Sequence, residues 1–158
     1  MKKELYKLTQ PQMSIYMSEQ FTKKPINNIG AVAYFDKSID IERLKEAVNL
    51  TIKNNDAIRT IIVMQGGEPM QYFDDFKTFN INVYNYSNKS KEEFKKFQDS
   101  FIQKSFDIYG NYLFDFNICI LDDEIALNTN FHHLIADAWT MGLLIDSIAV
   151  NYTALEKG

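Results

Sequence analysis

The sequence predicts an α/β chain, an α+β two-layer sandwich in which helices pack on a mixed, largely antiparallel sheet. Three observations carry that reading. Tyr112, Phe114, Phe116, Ile118 and Ile120 alternate strictly, and the alternation resumes with Ile125, Leu127, Thr129 and Phe131, the period of a strand with one buried face. Elsewhere they recur at helical spacing, as in Ile41, Leu44, Val48 and Ile52 or Phe94, Phe97 and Phe101. The two kinds of segment interleave without the regular strand-helix-strand order that builds a parallel sheet.

Taken in order, Thr9-Gln10-Pro11-Gln12 has the form of a helix start, with Pro11 in the first turn and Met13, Tyr16 and Met17 following at helical spacing. Asn28 to Phe35 is expected as a strand. Asp40 opens a second helix, with acids in the first turn where the macrodipole favours them. The β-branched run Thr60 to Val63 predicts a strand, Gly66-Gly67 a turn, and Met70 to Phe73 and Ile81 to Tyr86 two further strands. Ser90 and Glu93 have capping-box spacing, which predicts a helix over 90–104. Asp122-Asp123 joins the two alternating runs into a hairpin. Met141, Leu144, Ile145, Ile148, Tyr152 and Leu155 mark a closing amphipathic helix, with Asp137 or Thr140 placed to cap it.

With 158 residues and 46% hydrophobic content the chain can bury the core of one domain, and no repeat or low-complexity linker divides it. Its formal net charge of −4 is spread along the sequence, so no basic stripe is available to neutralise a phosphate backbone, and nucleic-acid binding is disfavoured. The lone Cys119 lies in an apolar run, as a buried free thiol does in a reducing compartment. Met1-Lys2-Lys3-Glu4 begins no apolar leader, and no stretch approaches the ~18 apolar residues of a membrane span. A cytoplasmic protein with no membrane partner is the expectation. Dinucleotide, P-loop and serine-hydrolase signatures are missing from the sequence.

The chemistry concentrates in Phe131-His132-His133-Leu134-Ile135-Ala136-Asp137-Ala138-Trp139, which holds both histidines of the chain. Successive strand residues face opposite ways, so His132 and His133 are expected to do different jobs. His133 continues the face of Ile125, Leu127 and Phe131, where apolar walls favour the neutral imidazole that can accept a proton, and this makes it the better base. Asp137, if buried, needs a cationic partner, and Arg59 beside an apolar strand is the arginine most suited to turn inward and pair with it. On residues alone the paired histidines are open to three readings: structural, catalytic, or metal-ligating. A zinc site would call on Cys119 and Asp137, without any supporting ligand motif, and no metal is assigned.

His132-His133-x-x-x-Asp137-x-Trp139 resembles the HHxxxDG motif of condensation domains from nonribosomal peptide synthetases, members of the chloramphenicol acetyltransferase-like superfamily. Three further landmarks stand in the same order. Leu8-Thr9-Gln10-Pro11-Gln12 with Ile15-Tyr16 resembles the first condensation motif. Asn55-Asp56-Ala57-Ile58-Arg59-Thr60 resembles the second, and Ser105-Phe106-Asp107-Ile108 with Leu113-Phe114 looks like the P-F-D-L…L-F segment.

The resemblance implies that residues 1–158 form the N-terminal lobe of such a domain, a chloramphenicol acetyltransferase-like half whose C-terminal lobe is absent from this chain. It implies amide formation between a donor acyl or peptidyl thioester and an acceptor aminoacyl thioester. Both substrates would arrive on the phosphopantetheine arms of carrier proteins, beside an adenylation domain and with no cofactor bound directly. Of the paired His132 and His133, it makes His133 the catalytic one, and it makes Asp137 and Arg59 a structural pair. The glycine after the motif aspartate is here Ala138, which precedes Trp139. Rival readings are a coenzyme A-dependent acyltransferase of the same superfamily, an epimerisation domain, or a non-catalytic module that binds carrier proteins.

Overall fold

The computed structural model describes residues 3–22 and 26–158. Met1 and Lys2, where the leaderless start was read, lie outside the described residues. The elements are β1 (Tyr6–Lys7), α1 (Gln10–Thr22), β2 (Asn28–Asp36), α2 (Ile41–Asn54), a 3-10 turn (Asp56–Arg59), β3 (Thr60–Gln65), β4 (Glu68–Phe73), β5 (Asn82–Asn85), α3 (Lys91–Ile102), β6 (Phe114–Ile120), β7 (Glu124–His132) and α4 (Ala138–Lys157).

The expected helix starts are chemically real. Thr9 and Gln12 exchange reciprocal bonds at the head of α1, the Asp40 carboxylate accepts from Arg43 N, and Ser90 with Glu93 closes a full capping box on α3. Gly66 and Gly67 both take positive φ, 61° and 84°, which the two-residue turn between β3 and β4 requires.

The strands divide between two sheets. β2, β7, β6 and β5 form a four-stranded sheet in that order, antiparallel except that β5 runs parallel to β6, while β1, β4 and β3 form a separate antiparallel sheet. Helices cover both faces of the larger sheet. On one face Phe114, Phe116 and Ile118 of β6 with Ile125, Leu127 and Phe131 of β7 meet Leu44, Val48 and Ile52 of α2 and Met141, Leu144 and Ile148 of α4. Each such side chain contributes about 1.5–3 kcal/mol by leaving water, and this is the main core. The smaller sheet shares a second cluster with α1, in which Leu8, Tyr16, Ile62, Ile108, Leu113 and Leu134 pack together.

The opposite face of the large sheet lies under α3 and joins an apolar cluster of Phe94, Cys119 and Ala126 to a row of buried amides. Gln98 Nε2 donates to Asn128 Oδ1 at 3.0 Å, and Asn128 Nδ2 donates to Asn117 Oδ1 at 2.9 Å. Asn130 Nδ2 reaches Phe101 O at 2.8 Å, and Asn28 Nδ2 reaches Ile102 O at 2.7 Å, so sheet amides cap the carbonyl end of α3. Close approach of helix and strand depends on Gly30, where an added Cβ would stand 2.4 Å from Ile102 Cγ1.

Candidate active site

Strand β7 ends at His132, opposite Asn28 of β2, and residues 133–135 turn the chain toward α4. His132 is the buried member of the pair, 1% exposed. Its Nδ1 accepts the backbone N–H of Leu134 at 3.1 Å, which places the proton of the neutral ring on Nε2. That nitrogen faces Glu19 Oε2 at 3.5 Å, and the ring edge packs against Phe106. Burial pushes the imidazole below its ordinary pKa, with the Glu19 carboxylate opposing, so the ring stays neutral at pH 7.

His133 occupies the turn itself and is partly exposed, with its backbone N–H donated to Asn27 O at 2.8 Å. The enclosure expected for His133 therefore belongs to His132. The strand stops one residue too early for His133 to continue its inward face, whereas His132 turns under the end of α1. His133 is thus the more accessible of the two, and the His132 ring is buried with Nδ1 engaged.

The expected buried pair of Asp137 and Arg59 does not form. Asp137 is exposed and serves as N-cap of α4, its Oδ1 accepting from Thr140 N and Thr140 Oγ1, each at 2.7 Å. The Thr140 N–H and hydroxyl lower its pKa, with His133 adding a smaller electrostatic share. A carboxylate satisfied by a helix N-terminus needs no buried cation. Arg59 spends its guanidinium on backbone carbonyls, with Nε on Asp74 O at 3.0 Å and a terminal nitrogen on Ile52 O and on Lys53 O. It thereby caps the C-terminus of α2 and ties it to the end of β4. Ala138 is the first residue of α4, exposed and without positive φ, so its methyl group stands where a helix accepts it without strain. Trp139 is 77% exposed.

Sequence reasoning missed the part played by α1. Gln12 Nε2 donates to Leu134 O at 2.9 Å, and Glu19 Oε2 accepts from Asn27 Nδ2 as well as facing His132. Gln12, Tyr16 and Glu19 share one helical face, with Tyr16 buried. A Gln and a Glu on the buried stripe of a helix were the available signal; the apolar pattern drew attention to Met17, which is 46% exposed. The pieces together make a braced turn that presents one accessible imidazole. Among the described residues no three His, Cys, Asp or Glu side chains converge as a metal site would need, and no helix is long and apolar enough to cross a membrane.

The chain is similar in sequence and in fold to known proteins. The family model described as "Condensation domain" matches residues 2–158. Surfactin synthase subunit 1 of Bacillus subtilis is 28% identical over 96% of this chain, and bacitracin synthase 3 of Bacillus licheniformis 29% identical over 98%. The chain spans only 4% and 2% of those two proteins. The starter condensation domain of rhizomide synthetase RzmA superposes with a TM-score of 0.89 at 17% identity, over 98% of this chain and 38% of that one. The first condensation domain of the CDA synthetase does so at 0.89 and 15%, over 99% and 42%. A variant of the rhizomide domain is described in complex with C8-CoA. A match along nearly the whole sequence, together with the same fold in two solved condensation domains, places the chain in the condensation domain family.

Proposed function

We propose that this chain is the N-terminal lobe of a condensation domain and supplies His133 to an amide-forming site completed by a C-terminal lobe. The observation that carries the proposal is the division of labour in the braced turn: His132 is sealed inside while His133 stands on the accessible side, held by its own backbone. Trp139, Leu143 and Val150 leave a stripe of exposed apolar surface along α4, as a surface meant for a further part of the domain would.

In the proposed reaction the amine of an acceptor aminoacyl thioester attacks the carbonyl of a donor acyl thioester. The C–N bond forms, the C–S bond breaks, and the amine proton ends on the departing thiol. The imidazole of His133 hydrogen-bonds the amine and accepts its proton, a role worth about 10²–10⁴ in rate. The larger share comes from holding two tethered substrates together. Carrier proteins with phosphopantetheine arms and a neighbouring adenylation domain would deliver them, and no bound cofactor takes part.

The test is product analysis by mass spectrometry in the intact parent domain, with donors offered on carrier protein and on coenzyme A. Amide product from the carrier-bound donor, lost in His133→Ala without loss of folding, is the expected result. Turnover only with coenzyme A donors points to the related acyltransferase activity. Carrier binding without any product points to a non-catalytic module, and undiminished product from His133→Ala removes His133 from the chemistry.

A further inference from the structure

We propose that Glu19 is a positioning residue, holding the turn that carries His133 from both sides, through His132 and through Asn27. Its catalytic consequence rests on His133 being the reacting group; the positional role stands on the network alone. The two routes leave the same oxygen. On one side Glu19 Oε2 faces His132 Nε2 at 3.5 Å, and the far nitrogen of that ring accepts Leu134 N–H at 3.1 Å. On the other, Glu19 Oε2 accepts from the Asn27 side chain, whose backbone carbonyl takes His133 N–H at 2.8 Å. The His132 carbonyl then accepts from Ile135 N at 3.0 Å. The three successive N–H groups of residues 133–135 are thus fixed by Asn27, the His132 ring and the strand end, and a single carboxylate on α1 orders the first two of these.

An acceptor at this spot does more than fill space. His132 Nε2 is buried with no hydrogen-bond partner within ordinary distance, so Glu19 is the group that makes an Nε2–H tolerable there. Remove the acceptor, and the ring gains by turning over or exchanging its proton to Nδ1, which frees Leu134 N–H and loosens the turn. Glu19 is also only slightly exposed, its side chain at 16%, so solvent does not replace it.

The readout is the tautomer of His132, which a merely space-filling Glu19 would not set. Long-range ¹H–¹⁵N correlation on the 158-residue chain at neutral pH is expected to show His132 as the Nε2–H form alone. A His132 protonated on Nδ1, or on both nitrogens, overturns the proposal. Glu19→Gln keeps an acceptor oxygen and is expected to preserve both the tautomer and slow amide exchange at His133 and Leu134. Glu19→Ala is expected to mix the tautomers and speed those two exchanges about tenfold. Unchanged tautomer and exchange in Glu19→Ala overturn the proposal; should that variant not fold, loss of the single tautomer in Glu19→Gln does so. In the intact parent domain Glu19→Ala should lower kcat with KM little changed, while Glu19→Gln stays near wild type. A fully active His133→Ala would sink the functional reading but leave the tautomer experiment to decide the role of Glu19.

Discussion

At the residue scale, His132 and His133 share one strand end but not one environment, the first buried and the second partly exposed. Adjacent histidines at a strand end must face differently, and one is indeed sealed while the other is accessible. Which one is which turned on where the strand stops, a boundary that alternation cannot place to the residue. The pairing of Asp137 with Arg59 failed for a related reason. The pairing required Asp137 to be buried and Arg59 to turn inward beside its apolar strand, yet each found partners at a helix end: Asp137 at the start of α4, Arg59 at the end of α2. The consequence is measurable. Asp137→Ala should lower the Tm by only a few degrees, as loss of a helix cap does, and Asp137→Asn, which keeps an acceptor oxygen, should restore most of that. Collapse of the fold in Asp137→Ala by thermal melting would mean that the carboxylate has a buried partner after all. Arg59→Lys should be damaging, because one ammonium cannot bridge Asp74, Ile52 and Lys53 carbonyls with the reach of a planar guanidinium.

At the element scale, periodicity and caps found the α-helices and the longer strands of the described residues, but not the 3-10 turn at Asp56–Arg59. The two-residue β1 carries too little pattern to be read, and the division into two sheets is invisible to alternation, which reports a buried face without saying what covers it. The same blindness concealed the buried polar row of Asn117, Asn128 and Asn130, whose residue type suggests solvent, yet Asn130 caps the end of α3 while Asn128 bonds Asn117 and accepts from Gln98 of α3. Two substitutions test how α3 is held. Ser90→Ala removes the hydroxyl that accepts Glu93 N and should cost about 1 kcal/mol in chemical denaturation. Gly30→Ala drives a methyl group into Ile102 at the other end, and should cost about 1–3 kcal/mol. Pairing it with Ile102→Val, which trims that side chain, should recover part of the loss; no recovery would place the strain elsewhere.

At the scale of the whole molecule, the fold stores a buried base at the meeting point of α1, β2 and β7, and the pH dependence of stability should show it. His132 has its folded-state pKa lowered from 6.5, first by burial, against the opposing pull of Glu19. Above that value the ring is neutral whether the chain is folded or not, and the full stability is present. As pH falls through 6.5 the unfolded chain takes up the proton while the folded chain does not, so stability declines until the lower folded-state pKa is reached. The carboxylates whose pKa values are lowered, among them Asp36, Asp40, Asp74, Glu93 and Asp137, act in a separate window, losing their contribution only as pH falls below their ordinary values of 3.8 to 4.5. Unfolding free energy measured by denaturant titration should therefore drop between about pH 7 and pH 5, with a slope of up to ~1.4 kcal/mol per pH unit for one proton. His132→Gln, whatever its own stability, should flatten that slope, since it removes the group that must be charged on unfolding. An equal slope in His132→Gln would assign the acid sensitivity to a different group, and with it would go the claim that the interior at the strand end keeps His132 neutral.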